Sequence, residues 1–166
     1  MTMALVKPEV YDELYRDEQF AKYECLLELG VVFKGTVLDV GCGTALLYEF
    51  LRAKRAQFNY ICLEPDPGML EIATGKLNSP LVIAVEAYAE NLPIRSGAVN
   101  VLVSVSTWGL LEKSPGVLGE FKEPVKRGGV VVVTGHPKTY KRSPADYDPG
   151  FHYVKNCIDD VYLAVT

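Results

Sequence analysis

One segment constrains the fold of this chain more than any other, because an apolar run, a glycine-rich turn and a helical pattern follow one another directly. The run is 36–40 (TVLDV), the turn is 41–44 (GCGT), and apolar residues recur at helical spacing over 46–51. A strand that enters a helix through such a turn is the device by which α/β proteins hold nucleotide-like ligands. The segment therefore predicts an α/β fold with a ligand site at the turn.

The rest of the chain alternates strand-like and helix-like runs. Further strands are predicted at 58–63, 81–85, 99–104 and 130–133, and helices at 8–29 (in two pieces), from about 67, at 107–111 and at 117–126. Runs of Val, Ile and Leu without strict polar alternation are typical of a parallel sheet buried on both faces. Strands that alternate with helices predict a doubly wound, Rossmann-like sheet.

The carboxyl-terminal stretch breaks this alternation. Strand-like runs at 151–157 and 160–165 are separated by two residues, whereas a parallel pair needs a crossover of about a dozen residues or more. The two runs therefore predict an antiparallel hairpin. The preceding segment, 136–150, contains three prolines, so we expect the helix between strands 5 and 6 to be short or missing. We also expect the sheet face beside the fifth strand to be thinly covered.

The length and the net charge of the chain limit the kinds of protein and partner that it can represent. A chain of 166 residues predicts a single domain, 1–166, with 1–30 as an amino-terminal helical cap. No apolar run approaches the roughly 20 residues that span a bilayer, and the amino terminus is no signal peptide, which predicts a cytoplasmic protein. The net charge of −4 disfavours autonomous nucleic-acid binding. A basic loop around Tyr140 keeps nucleic acid among the possible partners.

The four cysteines show no metal-ligand spacing, and we predict no metal site. Cys62 and Cys157 lie in strand-like runs, where a cysteine behaves as a small buried apolar residue. Cys42 lies inside the glycine-rich turn. A chain of this length buries enough surface to fold without disulfides, so none is predicted.

An acid at the end of the second strand indicates the kind of ligand. Glu64 follows Gly43 by 21 residues, and an acid at this place accepts hydrogen bonds from the ribose hydroxyls of an adenosine. The dinucleotide frame G-x-G-x-x-G is incomplete, because Leu46 occupies its third glycine position. Asp39, just before the turn, suits a positively charged amino group better than a pyrophosphate. These residues predict an adenosine ligand that carries an amino-acid part.

With these residues in place, a family resemblance is visible. Segments 37–44 (VLDVGCGT) and 63–70 (LEPDPGML) resemble the first two motifs of the class I S-adenosylmethionine-dependent methyltransferases. Segments 89–94 (AENLPI), 99–111 and 126–133 resemble the adenine loop, the fourth motif and the turn into the fifth strand. The resemblance implies the fold predicted above, S-adenosylmethionine as cofactor, and S-adenosylhomocysteine as product.

Site residues follow from the resemblance together with the argument for Asp39. The implied cofactor-binding set is Asp39, Gly41, Cys42, Gly43, Glu64, Pro65, Met69, Ala89, Glu90 and Ser104, with Tyr11 and Tyr15 closing over it from the cap. Packing roles remain open for the two tyrosines and for Met69. Two departures from the family pattern are Ala45 in place of a glycine and Tyr88 in place of an acid.

Catalytic residues are not fixed by the sequence. Ser106 and Trp108 are expected to face the methyl acceptor, and His136, directly after the fifth strand, is a candidate base or a strand cap. A general base is optional when the methyl donor is already activated. The motif Asn/Asp-Pro-Pro-aromatic is missing after the fourth strand, where the sequence reads SVSTW. This disfavours methylation of adenine or glutamine amides.

The resulting hypothesis is S-adenosylmethionine-dependent methyl transfer to an acceptor that the sequence does not identify. The acceptor is either a small molecule, or a tRNA or protein delivered with the help of a partner. One alternative is a non-catalytic cofactor-binding subunit of a methyltransferase complex, and a remote one is an NAD-dependent oxidoreductase. The expected thin cover beside the fifth strand suggests a homodimer or a small activator protein.

Overall fold

The computed structural model describes residues 6–166. Its helices are α1 Pro8–Glu28, α2 Leu46–Ala53, α3 Pro67–Lys76, α4 Trp108–Leu111, α5 Val117–Lys122 and α6 Pro144–Tyr147. Its strands are β1 Gly35–Val40, β2 Phe58–Leu63, β3 Val82–Val85, β4 Val99–Ser104, β5 Val125–Gly135, β6 His152–Cys157 and β7 Asp159–Val165. The strands form one sheet in the order β3-β2-β1-β4-β5-β7-β6.

Strand directions confirm the predicted fold class. Strands β1 to β5 run parallel, whereas β7 pairs antiparallel with both β5 and β6. The strand order reverses between β1 and β4, which makes the carboxyl ends of these two strands the switch point of the sheet. In open α/β sheets ligands bind at this point. The glycine-rich turn after β1 lies there.

Side chains on the two faces of the sheet build two cores. The helices α1, α2 and α3 cover one face, where Val37 and Tyr60 of the sheet pack against Leu26 and Phe50. The helices α4 and α5 cover the other face, where Phe121 packs against the sheet. The central strands are therefore buried on both sides, as their runs of Val, Ile and Leu without strict polar alternation predict.

The segment between β5 and β6 corrects one expectation. Its helix α6 has only four residues, as the prolines predict, yet the sheet beside it is not thinly covered. Phe151 is 1% exposed, and Tyr140 and Ala145 pack against the same core. An irregular segment thus fills the place of a helix. The amino-terminal region also differs from expectation, since α1 is one unbroken helix of 21 residues.

All four cysteines are paired in the structure, contrary to the sequence interpretation of them as isolated apolar residues. Cys25 of α1 is bonded to Cys157 at the end of β6, and Cys42 of the glycine-rich turn is bonded to Cys62 of β2. The partners are 132 and 20 residues apart. Only the packing of α1 on the hairpin and of the turn on β2 brings them together.

No helix within residues 6–166 is both long and apolar enough to cross a membrane.

We predict that Ile158→Gly stabilises the fold by about 0.5–1 kcal/mol. Ile158 links β6 to β7 with φ of 71°, a left-handed conformation that costs a non-glycine residue about 1–2 kcal/mol. Part of this gain is offset because glycine increases the entropy of the unfolded chain. Denaturant unfolding measures the difference. As a control, Val154→Gly within β6 should lower the free energy of unfolding. A lower free energy of unfolding in Ile158→Gly would contradict the assignment of backbone strain to Ile158.

Candidate functional site

The glycine-rich turn folds against the end of β2. Gly41 and Gly43 have φ of 74° and 57°, a region that favours glycine because other residues place their Cβ against the backbone. The backbone N–H groups of Gly41 and Cys42 donate to the carbonyl of Leu63 at 2.8 and 3.1 Å. A Cβ on Gly41 would lie 3.0 Å from a methyl carbon of Thr107. The turn is therefore a bare-backbone surface at the switch point.

Glu64 lies directly on this turn. Its Oε2 accepts a hydrogen bond from the Gly43 N–H at 2.9 Å, and its Oε1 accepts one from the Asp66 N–H at 3.1 Å. The residue is 3% exposed. Burial raises the pKa of its carboxyl above the usual value, against the opposing effect of the two backbone hydrogen bonds. The carboxylate thus reaches the turn from the neighbouring strand, as the spacing of 21 residues predicts.

A cavity of about 200 Å³ opens beside Glu64. It is lined by Val40, Gly41, Leu63, Glu64, Pro65, Tyr88, Ala89, Glu90, Ser104, Thr107, Leu110 and Leu111. The structure therefore brings together six of the expected cofactor-binding residues from four separate chain segments. Its walls are mostly apolar with a carboxylate at the base, which suits a flat heterocycle joined to a sugar.

A second, nearly closed space of about 10 Å³ lies on the other side of the turn. It is lined by Tyr11, Gln19, Tyr23, Asp39, Gly41, Cys42, Gly43, Leu46 and Val105. The expected residues Tyr11, Asp39, Cys42 and Gly43 thus meet here, under α1. A space of this size holds at most one water molecule. An amino-acid group enters it only when α1 moves outward.

Asp39 is the buried acid of this second space. It is 4% exposed and accepts a hydrogen bond from the Tyr60 hydroxyl. Burial raises the pKa of its carboxyl to about 7, although the bond from Tyr60 acts in the opposite direction. The group therefore changes charge near neutral pH.

Helix α1 is held over the site by charged side chains. Asp12 accepts hydrogen bonds from Thr44 of the turn and from Lys76 of α3. Arg16 pairs with Glu49 of α2, which also pairs with Lys76 at 2.8 Å. Tyr15 packs on Tyr11 with ring centroids 5.0 Å apart and does not line the cavity around Asp39. The network positions α1 over the glycine-rich turn.

Three expected site residues lie elsewhere. Trp108 is 1% exposed, its indole N–H donates to the Arg142 carbonyl at 2.8 Å, and it lines neither of the two cavities at the turn. Met69 is 2% exposed and lines neither cavity. His136 accepts a bond at Nδ1 from the Lys138 N–H at 3.2 Å, which orders the loop after β5.

Other residues of the site were not anticipated. Thr107 and Leu110 line the larger cavity because α4 begins only at Trp108; their place directly after β4 was the available signal. Gln19, Lys22 and Asp159 gather around Ser106. No signal in the sequence connects Lys22 with Asp159, since the contact depends on how α1 crosses the hairpin. Among residues 6–166, no cluster of metal-binding side chains occurs.

Comparison with known proteins identifies the family. The sequence pattern of the methyltransferase domain family matches residues 38–133, more than half of the chain. The ubiquinone/menaquinone biosynthesis C-methyltransferase UbiE of Campylobacter jejuni is 31% identical over 111 residues, which are 63% of this chain and 46% of that protein. The chain thus spans about half the length of the curated relatives it matches.

Solved structures show the same fold. A putative S-adenosylmethionine-dependent methyltransferase of Methanococcus maripaludis matches with a TM-score of 0.75 at 17% identity, over 96% of this chain and 90% of that one. A putative methyltransferase of Haloferax volcanii, solved in complex with the Trm112 activator, matches with a TM-score of 0.76 at 14% identity, over 94% of this chain and 92% of that one. The matched sequence pattern, the fold and the cavities at the glycine-rich turn all agree. The chain therefore belongs to the class I S-adenosylmethionine-dependent methyltransferase family.

Proposed function

We propose that this chain binds S-adenosylmethionine and transfers its methyl group to a small aromatic molecule that carries a hydroxyl group, such as a phenol or a hydroquinone. The observation that supports the donor site is the contact of the Glu64 carboxylate with the Gly43 N–H at 2.9 Å beside an apolar cavity. The sulfonium group of the bound donor supplies an activated methyl group. The protein therefore has to orient two ligands, and such positioning contributes about 7–11 kcal/mol.

Each side of the turn suits one half of the donor. The ribose hydroxyls donate to Glu64, and the adenine lies between Pro65 and Ala89 in the larger cavity. The charged amino group lies beside Asp39 once α1 has moved outward. Gly41 and Gly43 carry no side chain that would block the link between the two halves. Tyr88, which is 68% exposed at the cavity rim, supplies no carboxylate for the adenine amino group.

The acceptor class rests on two observations. Relatives over the matched region are named as quinone-biosynthesis C-methyltransferases, and the net charge of −4 disfavours nucleic acid. We expect the chain to methylate 1,4-dihydroxynaphthalene. The assay excludes oxygen, so that this hydroquinone stays reduced without an added reductant, which would cleave the disulfides. Bulk tRNA and a protein extract serve as competing acceptors. Methylation of tRNA or protein alone would contradict this acceptor class.

Binding of S-adenosylhomocysteine should weaken by about tenfold between pH 8 and pH 6. The pKa of Asp39 is about 7, so its carboxylate becomes protonated over this interval and loses its attraction for the ligand's amino group. Calorimetric titration at several pH values measures this. In Asp39→Asn the affinity should be low and independent of pH over this range. An unchanged wild-type affinity from pH 8 to pH 6 would contradict the role of Asp39.

The same carboxyl group should affect stability in the opposite direction. Its pKa is raised in the folded protein above the usual 3.8, so the folded state binds the proton more tightly than the unfolded state. The stabilising contribution of this proton is present below about pH 4 and is lost as the pH rises towards 7. In the absence of ligand, Asp39→Asn should therefore increase the free energy of unfolding at pH 8 more than at pH 5. Denaturant unfolding at both pH values provides the control.

Partners and location belong to the same proposal. A fold relative is solved with an activator protein, and we propose that this chain also works with a small activator or as a homodimer. Light scattering that shows a monomer, together with full turnover by the isolated chain, would contradict both the activator and the homodimer. Turnover would also exclude the non-catalytic subunit. A cytoplasmic location remains a prediction, and intracellular disulfides of this kind are typical of hyperthermophiles.

A further inference from the structure

A buried polar cluster lies beside the donor site. It is formed by Gln19 and Lys22 of α1, Ser106 after β4, Thr134 of β5 and Asp159 of β7. Four of these side chains are 7% exposed or less, and Ser106 alone is half-buried. Four separate elements thus direct polar groups to one point at the carboxyl edge of the sheet.

Ser106 lies at the centre of this cluster. Its hydroxyl donates to Asp159 Oδ2 at 2.6 Å and accepts from Lys22 Nζ at 3.0 Å. Its backbone N–H donates to the Thr134 hydroxyl at 2.8 Å. The φ of Ser106 is 61°, a conformation that costs about 1 kcal/mol or more for a residue with a side chain. The surrounding contacts therefore hold this hydroxyl in a defined place.

The neighbours of Ser106 in the chain face the donor site. Ser104 and Thr107 line the larger cavity, and Val105 lines the small space under α1 together with Gln19. The Gln19 side-chain oxygen is also 3.4 Å from the Ser106 hydroxyl. The half-buried Ser106 therefore lies next to the donor site and offers a fixed hydroxyl group to a second ligand.

Asp159 carries one buried carboxylate oxygen without a hydrogen-bond partner. Its Oδ2 accepts bonds from Ser106 and Thr134, but its Oδ1, in a residue that is 1% exposed, is the single buried side-chain oxygen within 6–166 without a hydrogen bond. Lys22 Nζ lies 3.3 Å from Oδ1, a charge contact without hydrogen-bond geometry. Lys22 also pairs with Glu18 at 2.8 Å on the solvent side. Among residues 6–166, no other charged side chain is paired with Lys22 or Asp159.

We propose that Ser106 and Asp159 form a proton relay that ionises the hydroxyl group of the acceptor, with Lys22 balancing the charge. This inference rests on the proposed function. The acceptor's O–H bond breaks and its proton moves to the Ser106 oxygen, while the Ser106 proton moves to Asp159 Oδ2. The acceptor keeps the electron pair as a phenolate near the Lys22 ammonium. Ser106 touches the acceptor, and Asp159 acts through Ser106. General-base steps of this kind contribute about 10²–10⁴-fold.

The test uses 4-nitrophenol, whose phenolate absorbs at longer wavelength than the neutral phenol. The full chain is titrated with this probe about one pH unit below the probe's own pKa, where about a tenth of it is ionised in solution. Titrations are run with and without S-adenosylhomocysteine. We expect the wild-type chain to lower the pKa of the bound probe by at least about one unit, which raises its ionised fraction from about a tenth to about a half.

Two variants remove the relay without removing the donor site. Ser106→Gly suits the positive φ and lacks the hydroxyl, and Asp159→Asn keeps the shape but takes up no proton. Each should abolish the shift, and the double variant should be no worse than Ser106→Gly alone, because the two residues act in series. The control Ser79→Gly, at a half-buried serine near the opposite edge of the sheet, should keep the full shift.

Calorimetry with S-adenosylhomocysteine separates the possible failures. Affinity within about twofold of wild type in each relay variant would show an intact donor site, since none of the changed side chains lines either donor cavity. Failure of the wild-type chain to bind S-adenosylhomocysteine would contradict the proposed function. The titration with 4-nitrophenol alone would still test the relay in that case. A wild-type chain that leaves the ionisation of saturating 4-nitrophenol unchanged would overturn the relay. Variants that retain the shift would also overturn it.

Discussion

Removing the disulfide between Cys25 and Cys157 is expected to lower the free energy of unfolding by about 3–5 kcal/mol. The bond joins residues 132 apart, so it restricts a very long loop in the unfolded chain. It also fixes the end of α1 to the hairpin one helical turn from the buried pair of Lys22 and Asp159. The double variant Cys25→Ser/Cys157→Ser, compared with wild type in thermal unfolding, should show a midpoint lower by about 6–20 °C.

The second disulfide provides the matched comparison. Cys42 and Cys62 are 20 residues apart, so the loop-closure argument gives a smaller loss of about 3 kcal/mol for Cys42→Ser/Cys62→Ser. A reductant should lower the stability of the wild-type chain towards that of the two variants combined. Thiol titration of denatured, unreduced protein should find no free thiol. Four free thiols, or an unchanged midpoint in both variants, would contradict the pairing.

Glu64→Ala is expected to weaken binding of S-adenosylhomocysteine by at least about tenfold. A hydrogen bond to a charged group contributes about 1.5–3 kcal/mol, and the ribose offers two hydroxyls to this carboxylate. The change also leaves the buried N–H groups of Gly43 and Asp66 without their acceptor. Calorimetry measures the affinity, and denaturant unfolding measures the accompanying loss of stability separately.

Two controls isolate the contribution of the carboxylate. Glu64→Gln keeps one acceptor oxygen for the Gly43 N–H and should fold normally, yet it should still bind the ligand more weakly because a neutral amide accepts weaker hydrogen bonds. Glu71→Ala, on the exposed side of α3, should leave the affinity unchanged. Equal affinities in wild type, Glu64→Ala and Glu64→Gln would mean that this carboxylate does not bind the ribose.

Local patterns predict most of the sheet correctly. The bounds of β2 and β4 agree with the sequence expectation, because both strands are mainly apolar runs, each with a single asparagine near its start. The length of β5 was underestimated: the structure extends it from Val125 to Gly135. Its first half crosses Gly128 and Gly129, which indicate a turn when only local sequence is considered. The register with β4 shifts between Val125 and Val130, and pairing with β7 begins at Val130, so the two glycines form an irregular part of a longer strand.

Long-range contacts account for what the sequence missed. The approach of Glu64 to Gly43 follows from parallel neighbouring strands, so spacing alone anticipates it. The meeting of Lys22 with Asp159 depends on the angle at which a long helix crosses a hairpin, and no periodicity encodes that angle. The burial of Trp108 was likewise not anticipated, since its hydrogen bond to the Arg142 carbonyl joins residues 34 positions apart.

Calorimetric titration of the wild-type chain with S-adenosylhomocysteine, with NAD titrated in parallel, tests the donor site most directly. We predict saturable binding of one S-adenosylhomocysteine per chain and no binding of NAD at the same concentrations. Binding of NAD alone, or of neither ligand, would contradict the assignment of the cavities around Glu64 and Asp39.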